Sequence, residues 1–368
     1  MVIKNLSILN YKNIAQADLA FSDKINCFIG ANGMGKTNVL DAVYYLSFCK
    51  SHTNPIDAQV VRHGEEMFML QGRYLTDDGE TETISCGTKV GRRKTFKRNG
   101  KDYRRLTEHI GFAPLVMISP ADTSLITGGS EERRRFVDTV ISQYDANYLD
   151  ALVRYGRALA QRNNLLKAEN EPDPDMMEIY EEEMAASGTY IYKERVEFAK
   201  RLTPVFQTMY SRIAHADEEV RLTYTSHCER GPLLDQLRQA RSKERIVGFT
   251  LHGIHKDDLI MELGGFPIKK EGSQGQCKTY LVALKLAQFD LLKETGRRQT
   301  PLLLLDDVFD KLDSHRVEQI VRLAGGNEFG QIFLTDTNRG HLDRILQQAA
   351  CDFKLFTVEN GTINDETV

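Results

Sequence analysis

Gly30-Ala31-Asn32-Gly33-Met34-Gly35-Lys36-Thr37 meets the pattern G-x-x-x-x-G-K-[ST] at every fixed position. Ahead of it, Ile25 to Ile29 is an apolar run that reads as a strand. Behind it, Asn38 to Phe48, with Val39, Leu40, Val43, Tyr44 and Leu46, reads as a helix. Strand, Gly-rich turn and helix N-terminus together make a phosphate cradle, because glycine lets backbone N–H groups point inward and the helix aims its positive end at the same anion. The expected ATP-binding set here is Gly30, Ala31, Asn32, Gly33, Met34, Gly35, Lys36, Thr37 and Asn38. Lys36 is expected to reach the β- and γ-phosphates, and the Thr37 hydroxyl to sit on Mg²⁺.

A second constellation lies far down the chain. Leu302-Leu303-Leu304-Leu305-Asp306-Asp307 is an apolar run closing on two acids, the form of a buried parallel strand that delivers carboxylates beside a nucleotide. Asp306 is expected to hold Mg²⁺, and Asp307 to orient or deprotonate the attacking water. The strand Ile332 to Thr335 follows, where groups sensing the γ-phosphate belong. Between the P-loop and these acids stands Ser273-Gln274-Gly275-Gln276 ahead of a long helix, Cys277 to Glu294, with Ser273 at the N-cap position. This S-x-G-Q resembles the ABC ATPase signature, which in that class covers the nucleotide bound to the other subunit of a dimer.

Composition bounds the class. The chain has 368 residues, 41% hydrophobic and 27% charged, enough for one large α/β domain with an insertion or for two domains. Its longest apolar runs are too short to span a bilayer and no signal-like segment opens it, so a cytoplasmic protein without a membrane partner is expected. The six cysteines are scattered, with no C-x-x-C pair, which suits reduced thiols. Net charge is -4, yet nine basic residues against one acid fall between Lys89 and Arg105. They flank Asn99-Gly100, a strong hairpin signal. Arg92, Arg93, Lys94, Lys97 and Arg98 are therefore candidate contacts to DNA phosphates; the alternative is a solvated strand edge that discourages aggregation.

In chain order, Val2 to Leu9 and Ile14 to Phe21 read as an N-terminal hairpin, and Met67 to Tyr74 and Thr81 to Ser85 as further strands of an antiparallel layer. From Ser130 to about Ile213 the period becomes helical, broken at Glu171-Pro172-Asp173-Pro174, with Pro204 able to open another helix. The acidic run Glu178 to Glu183 reads as a solvated helix face. The architecture expected is α/β, an ABC-type ATPase head. A P-loop sheet plus an antiparallel β layer makes lobe I (residues 1–118 and 246–368), and a mainly helical lobe II is inserted over 119–245.

These motifs, in this order and spacing, resemble the RecF family, bacterial recombination and repair ATPases of the ABC/SMC-like group. The likeness extends through Asn38 to Tyr44, Lys50-Ser51-His52, Ile118 to Asp122, Glu132 to Asp138, His255 to Leu259 and Asp306 to Asp313. It implies a slow Mg²⁺-dependent ATPase that binds single- and double-stranded DNA near junctions as an ATP-dependent homodimer. It also implies work with RecO and RecR in recombinational repair, replication-gap processing and the SOS response. Departures are Thr53 where the family has Arg, and Ile254 and Lys256 where it has Pro and Arg. Against the wider ABC class, Asp307 replaces a Glu and no switch His stands near Thr335. Gln71 and the Ser119 to Asp122 turn both remain candidates for the glutamine-lid equivalent. Two other readings are the ATPase subunit of a membrane transporter, which co-purification with a membrane protein would favour, and an SMC-like tether. The tether requires a long heptad coiled coil between Thr37 and Leu302, where strands and Pro-Gly turns occur instead.

Overall fold

A computed structural model describes residues 1–214, 218–295, 299–308, 328–337, 339–340 and 352–366; Phe309 to Asp313, the end of the acidic motif, lie outside them. By its contacts the chain divides into two units: Met1–Asp122, Arg212–His215 and Lys278–Val368 form the first, and Thr123–Ser211 and Ala216–Cys277 the second.

The first unit opens with β1 (Val2–Tyr11), β2 (Ile14–Ala20), β3 (Ile25–Ile29) and helix α1 (Lys36–Phe48). There follow β4 (Met67–Leu75), β5 (Thr81–Lys89), β6 (Thr95–Arg98), β7 (Lys101–Asp102) and β8 (Leu115–Ile118). One sheet is antiparallel, in the order β2-β1-β4-β5-β6-β7. Its strands alternate as a half-buried face requires: Phe68, Leu70 and Tyr74 point inward from β4 while Met67, Met69 and Gln71 are exposed. Asn99 (φ 50°) and Gly100 (φ 77°) join β6 to β7, the two left-handed positions of a tight hairpin turn. Helix α1 is buried on nearly every side, with Val39, Leu40, Ala42, Val43, Tyr45 and Leu46 inaccessible, so it forms the centre of the core instead of presenting one apolar stripe.

The second unit holds α2 (Ser124–Thr127), α3 (Ser130–Tyr144), α4 (Ala146–Lys167) and most of α5 (Pro174–Ala214). Then come β9 (Val220–Thr225), α6 (Leu233–Val247), β10 (Asp258–Leu263), β11 (Phe266–Pro267), α7 (Ile268–Glu271) and the start of α8 (Gln274–Thr295). Pro204 does not open a helix; it lies inside the 41-residue α5. The buried stripe Phe198, Leu202, Phe206, Met209 and Ile213 runs through it at helical spacing, and its packing outweighs the hydrogen bond that proline removes.

Residues 246–277, assigned from sequence to lobe I, pack with the helical unit. β10 pairs antiparallel with β9 from Asp258↔Thr225 to Leu263↔Val220. Arg133 on α3 clasps Asp258 with Nε and Nη2 at 2.6 and 2.9 Å, and Arg134 donates to the Asp257 carbonyl at 2.6 Å. Nor is the acidic run wholly solvated. Glu181 is completely buried and accepts from Arg162 and Arg241, because Arg162, equally buried, needs carboxylates around it and takes Glu244 as well.

The chain returns to the first unit with β12 (Leu302–Asp306), β13 (Ile332–Asp336), β14 (Phe353–Glu359) and β15 (Thr362–Asp365). They complete the second sheet, β15-β14-β3-β13-β12-β8, parallel from β14 to β8. β8, β12 and β13 are buried along their whole length, as their unbroken apolar runs require.

Candidate nucleotide site at the edge of the parallel sheet

Parallel strands end on one edge, so β3, β13 and β12 deliver the P-loop, Thr335 and Asp306 side by side. The register sets Asp306 opposite Thr335, and Thr335 opposite Phe28. Thr37 Oγ1 donates to Asp306 Oδ1 at 2.9 Å, and Thr335 Oγ1 donates to the same oxygen at 2.8 Å. Thr335 Oγ1 also accepts from the Asp307 amide at 2.9 Å. Asp307 adopts a left-handed φ of 45°, where the chain leaves the strand. The Lys36 ammonium, buried in the loop, donates to the carbonyls of Gly30 and Ala31 at 2.8 and 3.2 Å. Gly33 (φ 82°) and Gly35 (φ 114°) hold the left-handed turns of the cradle.

Burial pushes the Asp306 carboxyl above the ordinary carboxylate range; Thr335 and Thr37 pull it back, and the neighbouring Asp307 charge pushes it up further. The Lys36 charge also pulls it down, and a buried carboxylate beside a hydroxyl, both oxygen ligands, suits a hard divalent cation. Thr37 and Asp306 are the residues that would hold Mg²⁺.

Other groups frame the loop. Asp41 on α1 accepts from Tyr11, from Ser51 and from the His52 amide, all at 2.7 Å, and pairs with Lys12 at 2.5 Å. Lys12 also donates to Thr53 Oγ1 at 2.6 Å, so a cation from the β1–β2 turn reaches the position where the RecF pattern has arginine. The Ser119 to Asp122 turn follows β8 directly and is pinned by Lys285, whose ammonium lies 2.7 Å from Asp122. Gln71, the other lid candidate, sits on the exposed face of the antiparallel sheet opposite Ser7 and Ser85.

In the second unit Ser273 caps α8 as its position suggests. Its Oγ accepts from the Gln276 amide at 3.2 Å while Gln276 Oε1 accepts from the Ser273 amide at 2.9 Å, a reciprocal capping box. Gln276 is further held by Glu218 at 2.6 Å, and Gln274 and Gly275 occupy the first helical turn, half-exposed or exposed.

The basic hairpin forms as expected, but its five candidate cations differ. Lys94 is turned inward onto the Cys49 carbonyl (2.6 Å) and Asp57 (2.9 Å). Arg98 is clasped by Glu82 at 2.5 and 3.0 Å and lies over the Phe112 ring. Arg92 and Arg93 are exposed at the β5–β6 turn, and Lys97 is half-exposed with Asp102 3.8 Å away. Sequence reading could not separate them, because the acids that claim Lys94 and Arg98 lie well outside the hairpin.

Residues 2–364 match the family model described as RecF/RecN/SMC N terminal domain. A "DNA replication and repair protein RecF" of Phocaeicola vulgatus is 61% identical over 365 residues, covering 99% of this chain and 98% of that protein. A solved structure of "the recombination mediator protein RecF-ATPrS in RecFOR pathway" superposes with a TM-score of 0.89 at 28% identity, over 100% of this chain and 98% of that one. The head in "Crystal structure of the SmcHead bound to the C-winged helix domain of ScpA" superposes with a TM-score of 0.62 at 14% identity, covering 100% and 98%, a likeness of fold alone.

Proposed function

The chain belongs to the RecF family, and from that premise we propose that it is an ATP-gated DNA clamp of recombinational repair and replication-gap processing. The observation that carries the ATP half is the meeting of Thr37 and Asp306, 269 residues apart in sequence, at 2.9 Å beside the P-loop. In this reading the N–H groups of Gly30 to Thr37 cradle the phosphates, and Lys36 leaves the Gly30 and Ala31 carbonyls to bind the terminal ones. Mg²⁺ on Thr37 and Asp306 would neutralise charge developing on the transferred phosphoryl group. Asp307 aligns the attacking water. Its carboxylate reaches less far than the glutamate of the wider ABC class, so hydrolysis is slow and ATP serves mainly to hold a conformation.

The capping box at Ser273 fixes the turn that opens α8, and Ser273 to Gln276 cover the ATP of a second copy, closing a two-fold dimer. Exposed Arg92 and Arg93, with Lys97, contact DNA phosphates. The name RecFOR in the related structure supports RecO and RecR as partners in loading recombinase on gaps. Full-length agreement with RecF relatives favours this reading over a transporter subunit or a tether.

Two substitutions test the ATP assignment. Lys36→Met should lose ATP binding, whereas Asp307→Asn should bind ATP and hydrolyse it more slowly. Equal loss of binding in both would show that the roles of the two sites are wrongly assigned.

A further inference from the structure

Two turns that carry none of the nucleotide motifs meet on the outer side of the P-loop. Asn13 stands in the turn between β1 and β2. Its Nδ2 donates to the Met34 carbonyl at 3.0 Å, and its Oδ1 accepts from Asn38 Nδ2 at 2.7 Å. The approach is close enough that a Cβ on Gly35 would lie 2.7 Å from Asn13 Oδ1. From the C-terminal hairpin, the Gly361 amide donates to the same Met34 carbonyl at 2.8 Å, and the Asn360 amide donates to Met34 Sδ at 3.4 Å. The turns also touch each other: a Cβ on Gly361 (φ 80°) would collide with the Asn13 carbonyl.

One carbonyl thus receives two donors from outside the loop. In a trans peptide the C=O and the following N–H point in opposite directions. Holding the Met34 carbonyl outward therefore aims the Gly35 N–H at the concave side of the loop, where a phosphate oxygen needs it. We propose that Asn13 and the Asn360–Gly361 turn are a positioning device that fixes the Met34–Gly35 peptide for phosphate binding. The inference rests on reading Gly30 to Thr37 as the ATP loop. It gives a hairpin at the far end of the chain a direct hand in nucleotide affinity.

The test is Mg-ATP affinity, by titration calorimetry, with KM and kcat alongside. Asn13→Ala should weaken ATP about tenfold, the worth of one hydrogen bond that pre-orders the loop. KM should rise while kcat at saturating ATP stays, because bound phosphates can order the loop once seated. Asn13→Asp, which keeps the acceptor for Asn38 and loses the donor to Met34, should weaken ATP too and serves if the alanine variant does not fold. Gly361→Ala should act likewise, and the double variant should lose less than the product of the single losses, since both act on one carbonyl. Wild-type affinity in Asn13→Ala or Asn13→Asp, or losses that multiply independently, would overturn the proposal while leaving the ATP reading intact. Failure of the wild-type protein to bind ATP would overturn both.

Discussion

Asp306 shows how a single side chain is made both costly and useful. Its carboxyl is buried between two hydroxyls with a second acid beside it, and burial raises its pKa. For an acid raised in the folded state, the contribution to stability is full below the ordinary value near 4 and is lost as pH climbs through the raised value. At neutral pH the nucleotide-free protein has therefore lost stability that it holds in acid, where Asp306 is protonated whether folded or unfolded. Asp306→Asn should unfold at higher denaturant than wild type at pH 7 without nucleotide, with the gap closing toward pH 4. The same variant should lose the Mg²⁺-dependent part of ATP binding. A variant less stable than wild type at pH 7 would mean that the hydrogen bonds from Thr37 and Thr335 outweigh the burial of charge.

At the scale of elements, what sequence could disclose follows from the range of each signal. The P-loop and the run Leu302 to Asp307 were legible because a fixed pattern or an unbroken apolar strand lies within ten residues. So were the hairpin at Asn99-Gly100 and the cap at Ser273. Illegible were the contacts made across the chain. Asn13 and Gly361 meet at Met34 with no periodicity to announce them, and Glu181 is buried by Arg162 although its run is acidic throughout. Residues 246–277 looked like a return to the ATPase lobe because β9 and β10 pair across more than thirty residues that no local pattern links. The basic hairpin carries both lessons. Reversing Arg92, Arg93 and Lys97 to Glu should weaken DNA binding for all sequences alike and reduce the log-log salt slope by roughly 0.9 per lost duplex phosphate contact. Arg98→Gln should leave that slope nearly unchanged, since Arg98 is already engaged by Glu82. An unaltered slope in the triple variant would make the hairpin a solvated edge.

For the whole molecule, the candidate site at the ends of β3, β12 and β13 would supply the phosphate cradle and the acids, whereas Ser273 to Gln276 belong to the second unit. The proposed clamp closes when the ATP on one copy meets the signature helix of another, so nucleotide is part of the interface and shifts the equilibrium toward the dimer that contains it. The most direct test is the molar mass of the protein by light scattering, with and without Mg-ATP, for wild type and Ser273→Arg. Wild type should pass from monomer to dimer on adding ATP, and Ser273→Arg should bind ATP yet remain a monomer. If ATP dimerises Ser273→Arg as readily as wild type, the shared-site clamp is wrong.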